Sequence, residues 1–67
     1  MIRITFNGKA QELERVMSVQ EFLERSGKLP RFAVVELRGE PLLREQYAET
    51  TIEDGDVVEV VAPFGGG

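Results

Sequence analysis

Asp54-Gly55-Asp56-Val57-Val58-Glu59-Val60-Val61-Ala62-Pro63-Phe64-Gly65-Gly66-Gly67 closes the chain, and its reading decides the fold. Residues 57–62 hold four β-branched valines, so they predict a strand with Val58, Val60 and Ala62 on one face and Val57, Glu59 and Val61 on the other. Burying an unpaired glutamate is costly, which assigns the first set to the core. A polar turn, Glu53-Asp54-Gly55-Asp56, leads into this strand. Three glycines follow it, residues that add nothing to a core and lose the most entropy when fixed.

Partners for that strand are found upstream. Ile2-Arg3-Ile4-Thr5-Phe6 alternates with period two and runs into Asn7-Gly8, the strongest short hairpin signal. The returning strand, 9–16, is charged, as suits a guarded sheet edge. Ser18-Val19-Gln20-Glu21 has capping-box spacing: the Ser18 hydroxyl is placed to accept from the Glu21 amide, and the Glu21 carboxylate is placed to reach back. A two-turn helix is therefore expected from Val19, with Val19, Phe22 and Leu23 on its apolar face and Gly27 as its left-handed cap. A third strand is predicted at 32–38 with Ala33, Val35 and Leu37 inward, then a turn at Gly39-Glu40-Pro41 and a short strand at 42–43. Residues 44–51 read as an irregular connection around Tyr47, a packed anchor. Sheet and helix must bury their apolar faces on one another, so the order predicts an α+β domain: a mixed four- to five-stranded sheet with one helix across it, over residues 1–64, and a flexible tail, 65–67.

Composition narrows the chemistry. Sixty-seven residues form one domain near the lower size limit for a stable core, without room for a cleft between domains. The chain has no histidine or cysteine, which removes the imidazole base, the thiol nucleophile and the usual metal ligands. Glu53, Asp54 and Asp56 are the densest acidic group, but a turn explains them and no helper ligands accompany them, so no metal site is expected. The net charge is −4 and the 8 basic residues are scattered, so a nucleic-acid footprint is not expected. A strand pattern begins at once without a leader, and no apolar run approaches the roughly 18 residues of a membrane span. A cytoplasmic protein, monomeric when free, is expected.

What remains is the terminal carboxylate. Ionised at neutral pH, with a pKa of about 3.5, it is a poor electrophile. A partner that converts it to an acyl adenylate with ATP and Mg²⁺ would make it reactive toward sulfur or an amine. Five residues, 63–67, extend roughly 17 Å at about 3.3–3.6 Å each, enough to thread a channel while the domain docks outside. Phe64 is either the anchor of that arm or a core residue sharing parity with Val58 and Val60. Val34 and Val61, with Glu59, Glu36 and Arg38 beside them, form a candidate docking patch on the open sheet face; singly exposed valines are also ordinary on sheets.

Taken together, the opening strand with Asn7-Gly8, the Ser18-Val19 helix entry, Val34-Val35-Glu36-Leu37-Arg38-Gly39-Glu40, Tyr47, and the run from Asp54 to Gly67 resemble the ubiquitin-like β-grasp sulfur carriers of ThiS type over the whole chain. The specific part is a diglycine end a fixed distance from a Gly-Asp-x-Val-Glu strand. The resemblance implies a β-grasp fold and a carrier, not an enzyme, with no bound cofactor. It also implies that an E1-like adenylyltransferase (ThiF-like) uses ATP and Mg²⁺ to adenylate the Gly67 carboxylate. Sulfur from a donor such as a cysteine desulfurase then gives a thiocarboxylate, and thiazole synthase (ThiG-like) receives it. Gly66 and Gly67 match the family's terminal pair, with Gly65 and Phe64 in the recognised tail. Two departures stand out: Arg38-Gly39 replaces a common Asn-Gly, which suggests a different turn there, and Pro63 stiffens the arm's base. Related carriers serve molybdopterin synthesis or tRNA thiolation, and ubiquitin-like modifiers or a plain binding module with an inert tail share the outline.

Overall fold

Two left-handed residues, Asn7 (φ 50°) and Gly8 (φ 84°), fold strand β1 (Ile2–Phe6) back onto β2 (Lys9–Leu13) in the computed structural model, which describes residues 1–28 and 30–62. β2 is shorter than the predicted 9–16 because Leu13 pairs with Ile2, where β1 begins. Beyond it, Glu14 and Arg15 leave the sheet for the helix, pairing with Arg25 and Glu21.

Helix α1 (Val19–Arg25) starts where its cap predicts. The Glu21 amide donates to Ser18 Oγ at 3.0 Å, while the amides of Val19 and Gln20 donate to the carbonyls of Thr50 (2.9 Å) and Tyr47 (3.1 Å). Three of the donors that a helix start leaves free are thus paired, two of them by a loop distant in sequence. The reciprocal half of the capping box does not form: the Glu21 carboxylate is held by Arg15 and Arg25 instead. Ser18 lies in β3 (Met17–Ser18), which pairs antiparallel with β6 (Thr51–Ile52) in a small separate ladder absent from the sequence reading. At the other end Gly27 (φ 77°) is left-handed and the Lys28 amide reaches back to the Leu23 carbonyl at 2.9 Å.

The predicted strand 32–38 is observed as β4 (Val34–Leu37), since Pro30–Phe32 winds into a 3₁₀ turn. Its faces are as expected, Ala33, Val35 and Leu37 buried and Val34, Glu36 and Arg38 outward. The turn expected at 39–41 sits instead on Arg38-Gly39, and Glu40–Leu42 forms β5 in place of 42–43. Arg38 (φ 55°) and Gly39 (φ 83°) reproduce the Asn7-Gly8 conformation, so the substituted position does not change the turn. A left-handed conformation costs a non-glycine residue about 1–2 kcal/mol. Here the Arg38 guanidinium grips buried Asp56 through Nε at 2.7 Å and Nη2 at 3.0 Å, an offsetting pair the sequence did not reveal.

Residues 44–51 hold more structure than the expected irregular connection: Arg44–Gln46 is a 3₁₀ turn and Thr51 opens β6. Tyr47 is the anchor foreseen, buried, with its hydroxyl donating to the Ala33 carbonyl at 2.8 Å. β7 (Val57–Val61) stops one residue short of the prediction. It runs parallel to β1 and antiparallel to β4, completing a mixed sheet of order β2-β1-β7-β4-β5. With α1 packed across one face, this is the expected α+β, ubiquitin-like β-grasp architecture, its sheet five-stranded. Ile4, Val35 and Val58 meet Val19, Phe22, Leu23 and Ile52 in the core, and Phe22 packs edge-on to Phe6 at 5.0 Å.

The sheet's two edges differ. Around the Arg38-Gly39 turn the bonded pairs are Leu37·Glu40 and Val35·Leu42, so Pro41, opposite Glu36, turns its nitrogen outward, where it offers no N–H. On β2 the alternation leaves the backbone groups of Ala10 and Glu12 facing out.

Candidate functional site

β7 delivers the chain to Ala62, which packs against the core. Phe64, Gly65, Gly66 and Gly67, the expected tail and reactive end, lie outside the described residues, as does the boundary expected at residue 64. The strand that leads to that segment is described through Ala62. The Arg38 amide donates to the Val57 carbonyl at 2.9 Å, which fixes 38·57, 36·59 and 34·61 as the bonded pairs between β4 and β7. The N–H and C=O of Val60 therefore point the other way, toward a strand that has already turned off at Phe6.

Asn7 fills the gap. Its Nδ2 donates to the Val60 carbonyl at 3.2 Å, its Oδ1 accepts from the Val60 amide at 2.7 Å, and its own amide donates to the Val58 carbonyl at 2.9 Å. One side-chain amide stands in for a missing peptide group and prolongs the ladder toward the end of β7. Sequence reasoning gave Asn7 only its turn preference; the second task depends on the register of β7 against β4, for which no local signal exists.

β7 also contributes to the open face. Val34 and Val61 are directly opposed, 63% and 73% exposed, so the two valines of the predicted patch are a cross-strand pair. Glu59 is next along the ladder and directly opposes Glu36. Both carboxylates are exposed and neither has a cationic partner among the described residues. Arg38, in the turn that follows β4, is committed to Asp56, whose hydrogen bond and charge push the guanidinium pKa further up. Val57 and Gly39 complete the lining of a shallow depression of about 470 Å³ over these residues. What such a face offers a partner is apolar contact and two carboxylates.

The acidic turn is consumed by the fold. Asp54 Oδ1 accepts from the Arg3 amide at 2.8 Å, and Asp56 Oδ2 accepts from the Glu53 amide at 2.8 Å besides holding Arg38. Among the described residues no helix is long and apolar enough to cross a membrane.

Comparison with known proteins agrees with this geometry. A crystal structure of the thiamine biosynthesis protein ThiS from Geobacter metallireducens superposes with a TM-score of 0.84 at 36% identity, covering 98% of this chain and 100% of that one. An NMR solution structure of a thiamine biosynthesis protein from the same organism gives 0.81 at 36% identity, covering 98% and 88%. A thiazole synthase of Paramagnetospirillum magneticum is 32% identical over 66 residues, 98% of this chain but 20% of that protein, so the chain spans about a fifth of that relative's length. The sequence pattern of the ThiS family matches residues 4–67. With fold and family pattern in agreement, the chain belongs to the ThiS family, the ubiquitin-like sulfur carriers of thiamine biosynthesis.

Proposed function

We propose that the chain carries sulfur as a thiocarboxylate on Gly67 for thiazole formation. The carboxylate attacks the α-phosphorus of ATP in an E1-like enzyme, pyrophosphate leaves, and the acyl adenylate forms with Mg²⁺ balancing the phosphate charge. The terminal sulfur of a persulfide on a donor such as a cysteine desulfurase displaces AMP to give an acyl disulfide, and a thiol reductant then cleaves its S–S bond, leaving the C-terminal thiocarboxylate and carrying the other sulfur off as a disulfide. Thiazole synthase then accepts the sulfur, and the carrier returns as a carboxylate. The chain itself is the substrate of these steps, Gly65, Gly66 and Phe64 serving as the recognised tail and Val34, Val61 and Glu59 as part of the docking face. The ATP supply of this cycle suits a cytoplasmic carrier.

The observation that carries the reading is a family match that extends through the glycines to residue 67. The thiazole synthase relative adds support, because its sequence includes a segment matching this chain within one polypeptide.

Intact-mass measurement of the protein isolated from cells tests it. The expected product is a species in which one oxygen is replaced by sulfur, formed in vitro only with ATP, the activating enzyme and a sulfur source. Deleting Gly67 is expected to abolish ATP-dependent adenylation while leaving the thermal midpoint unchanged. Adenylation that survives the deletion, or a mass showing covalent attachment to other proteins alone, rules the carrier reading out.

A further inference from the structure

Glu36 and Glu59 face one another across β4 and β7 in an otherwise apolar setting of Val34, Val61 and Val57. Like charges directly opposed on a sheet are unfavourable, and no cation among the described residues relieves this pair. Arg38 stands on the same outward face one bonded pair away, yet it is turned to Asp56. The fold therefore leaves the two carboxylates without a compensating cation among the described residues. The valines beside them leave much apolar surface in water, 63% and 73% of Val34 and Val61 and 43% of Val57.

Resting on the reading that activating and acceptor proteins dock on this carrier, we infer that the face is built for a partner surface that inserts one cationic side chain, an arginine or lysine, between Glu36 and Glu59 while apolar side chains cover Val34, Val61 and Val57. A planar guanidinium can donate to two carboxylates at once, and surrounding apolar contact excludes the water that would otherwise screen them. A second copy of this chain does not fit: apposing the face on itself brings four carboxylates together, and the whole chain already carries a net charge of −4. The pair thus both selects a basic partner and opposes self-association.

The test uses the full chain carrying Glu36→Gln and Glu59→Gln together, changes that keep shape and remove charge. Folding is read by thermal unfolding, assembly by sedimentation velocity, and docking by the KM for the carrier in ATP-dependent adenylation by the E1-like enzyme of the same organism, at salt between about 0.05 and 0.5 M. Expected are an equal or higher unfolding midpoint, a KM raised about tenfold or more at low salt with kcat unchanged, and a salt dependence flatter than that of the wild type. A double variant with wild-type KM and salt dependence overturns the inference, including when it self-associates, since the pair would then be only a guard against dimers. If the enzyme adenylates both proteins poorly or not at all, the carrier reading itself fails and this inference with it; a normal wild type beside an unaltered variant sinks this inference alone.

Discussion

At the scale of single residues, two side chains do backbone work. Asn7 supplies both a donor and an acceptor to Val60, and replacing it with glycine keeps the left-handed turn while removing that amide. Asn7→Gly is expected to cost about 1–2 kcal/mol, the price of hydrogen bonds whose part-buried backbone partners are left behind. Hydrogen exchange gives the sharper measurement: the Val60 amide should lose protection while Val35 and Val58 keep theirs, and equal protection at Val60 in both proteins refutes the role. Arg38 and Asp56 illustrate the other direction of control, in which a side-chain pair stabilises a backbone conformation that arginine seldom adopts. Neither Asn7's second task nor Asp56's burial could be read from sequence, because the partners are 53 and 18 residues away.

At the scale of elements, α1 is held to β2's outgoing chain by exposed ion pairs. The Glu21 carboxyl is held below its ordinary value of 4.5 by its hydrogen bond to Arg15, then by the charges of Arg15 and Arg25, and Glu14 is lowered likewise by Arg25. A carboxyl lowered in the folded state stabilises the fold above its unfolded pKa, and that contribution disappears as pH falls through the lower, folded value. The urea midpoint should therefore hold steady down to about pH 5 and drop below it, with a shallower drop in Glu21→Gln and in high salt. An acid limb unchanged by Glu21→Gln contradicts the assignment. These same elements show what local sequence can carry. Alternation around Glu59 gave the correct inward face of β7, and Ser18 gave the helix start, because both signals sit within a few residues. The β3·β6 ladder had no such signal: two residues on each side, Met17-Ser18 and Thr51-Ile52, become strands only when the fold brings them together. The second hairpin turns one residue earlier than expected, on Arg38-Gly39, where the contact with Asp56 overrides arginine's low preference for a left-handed turn.

At the scale of the whole molecule, architecture gives the sheet one buried and one open face. One sheet face and α1 enclose the core; the other face presents paired valines and paired glutamates at the end of β7, while Asp54 and Asp56 of the acidic turn accept from backbone amides. Fold class, core parity and the outward exposure of Val34 and Val61 were legible because each follows from period-two patterning, whereas the Glu36·Glu59 opposition required the register. The unlike edges of the sheet have a consequence of a different kind. Strand-by-strand growth of an assembly needs two reactive ends on every unit, as a polymer needs a bifunctional monomer, and Pro41 leaves the β5 end without its donor while β2 keeps Ala10 and Glu12. Where concentration drives edge pairing past the charges that guard β2, it should accordingly end at β2-to-β2 couples, visible by light scattering as a ceiling at twice the monomer mass. Pro41→Val is expected to lift that ceiling; a wild-type protein that forms fibres through this sheet would show that the blocked end is not what terminates growth.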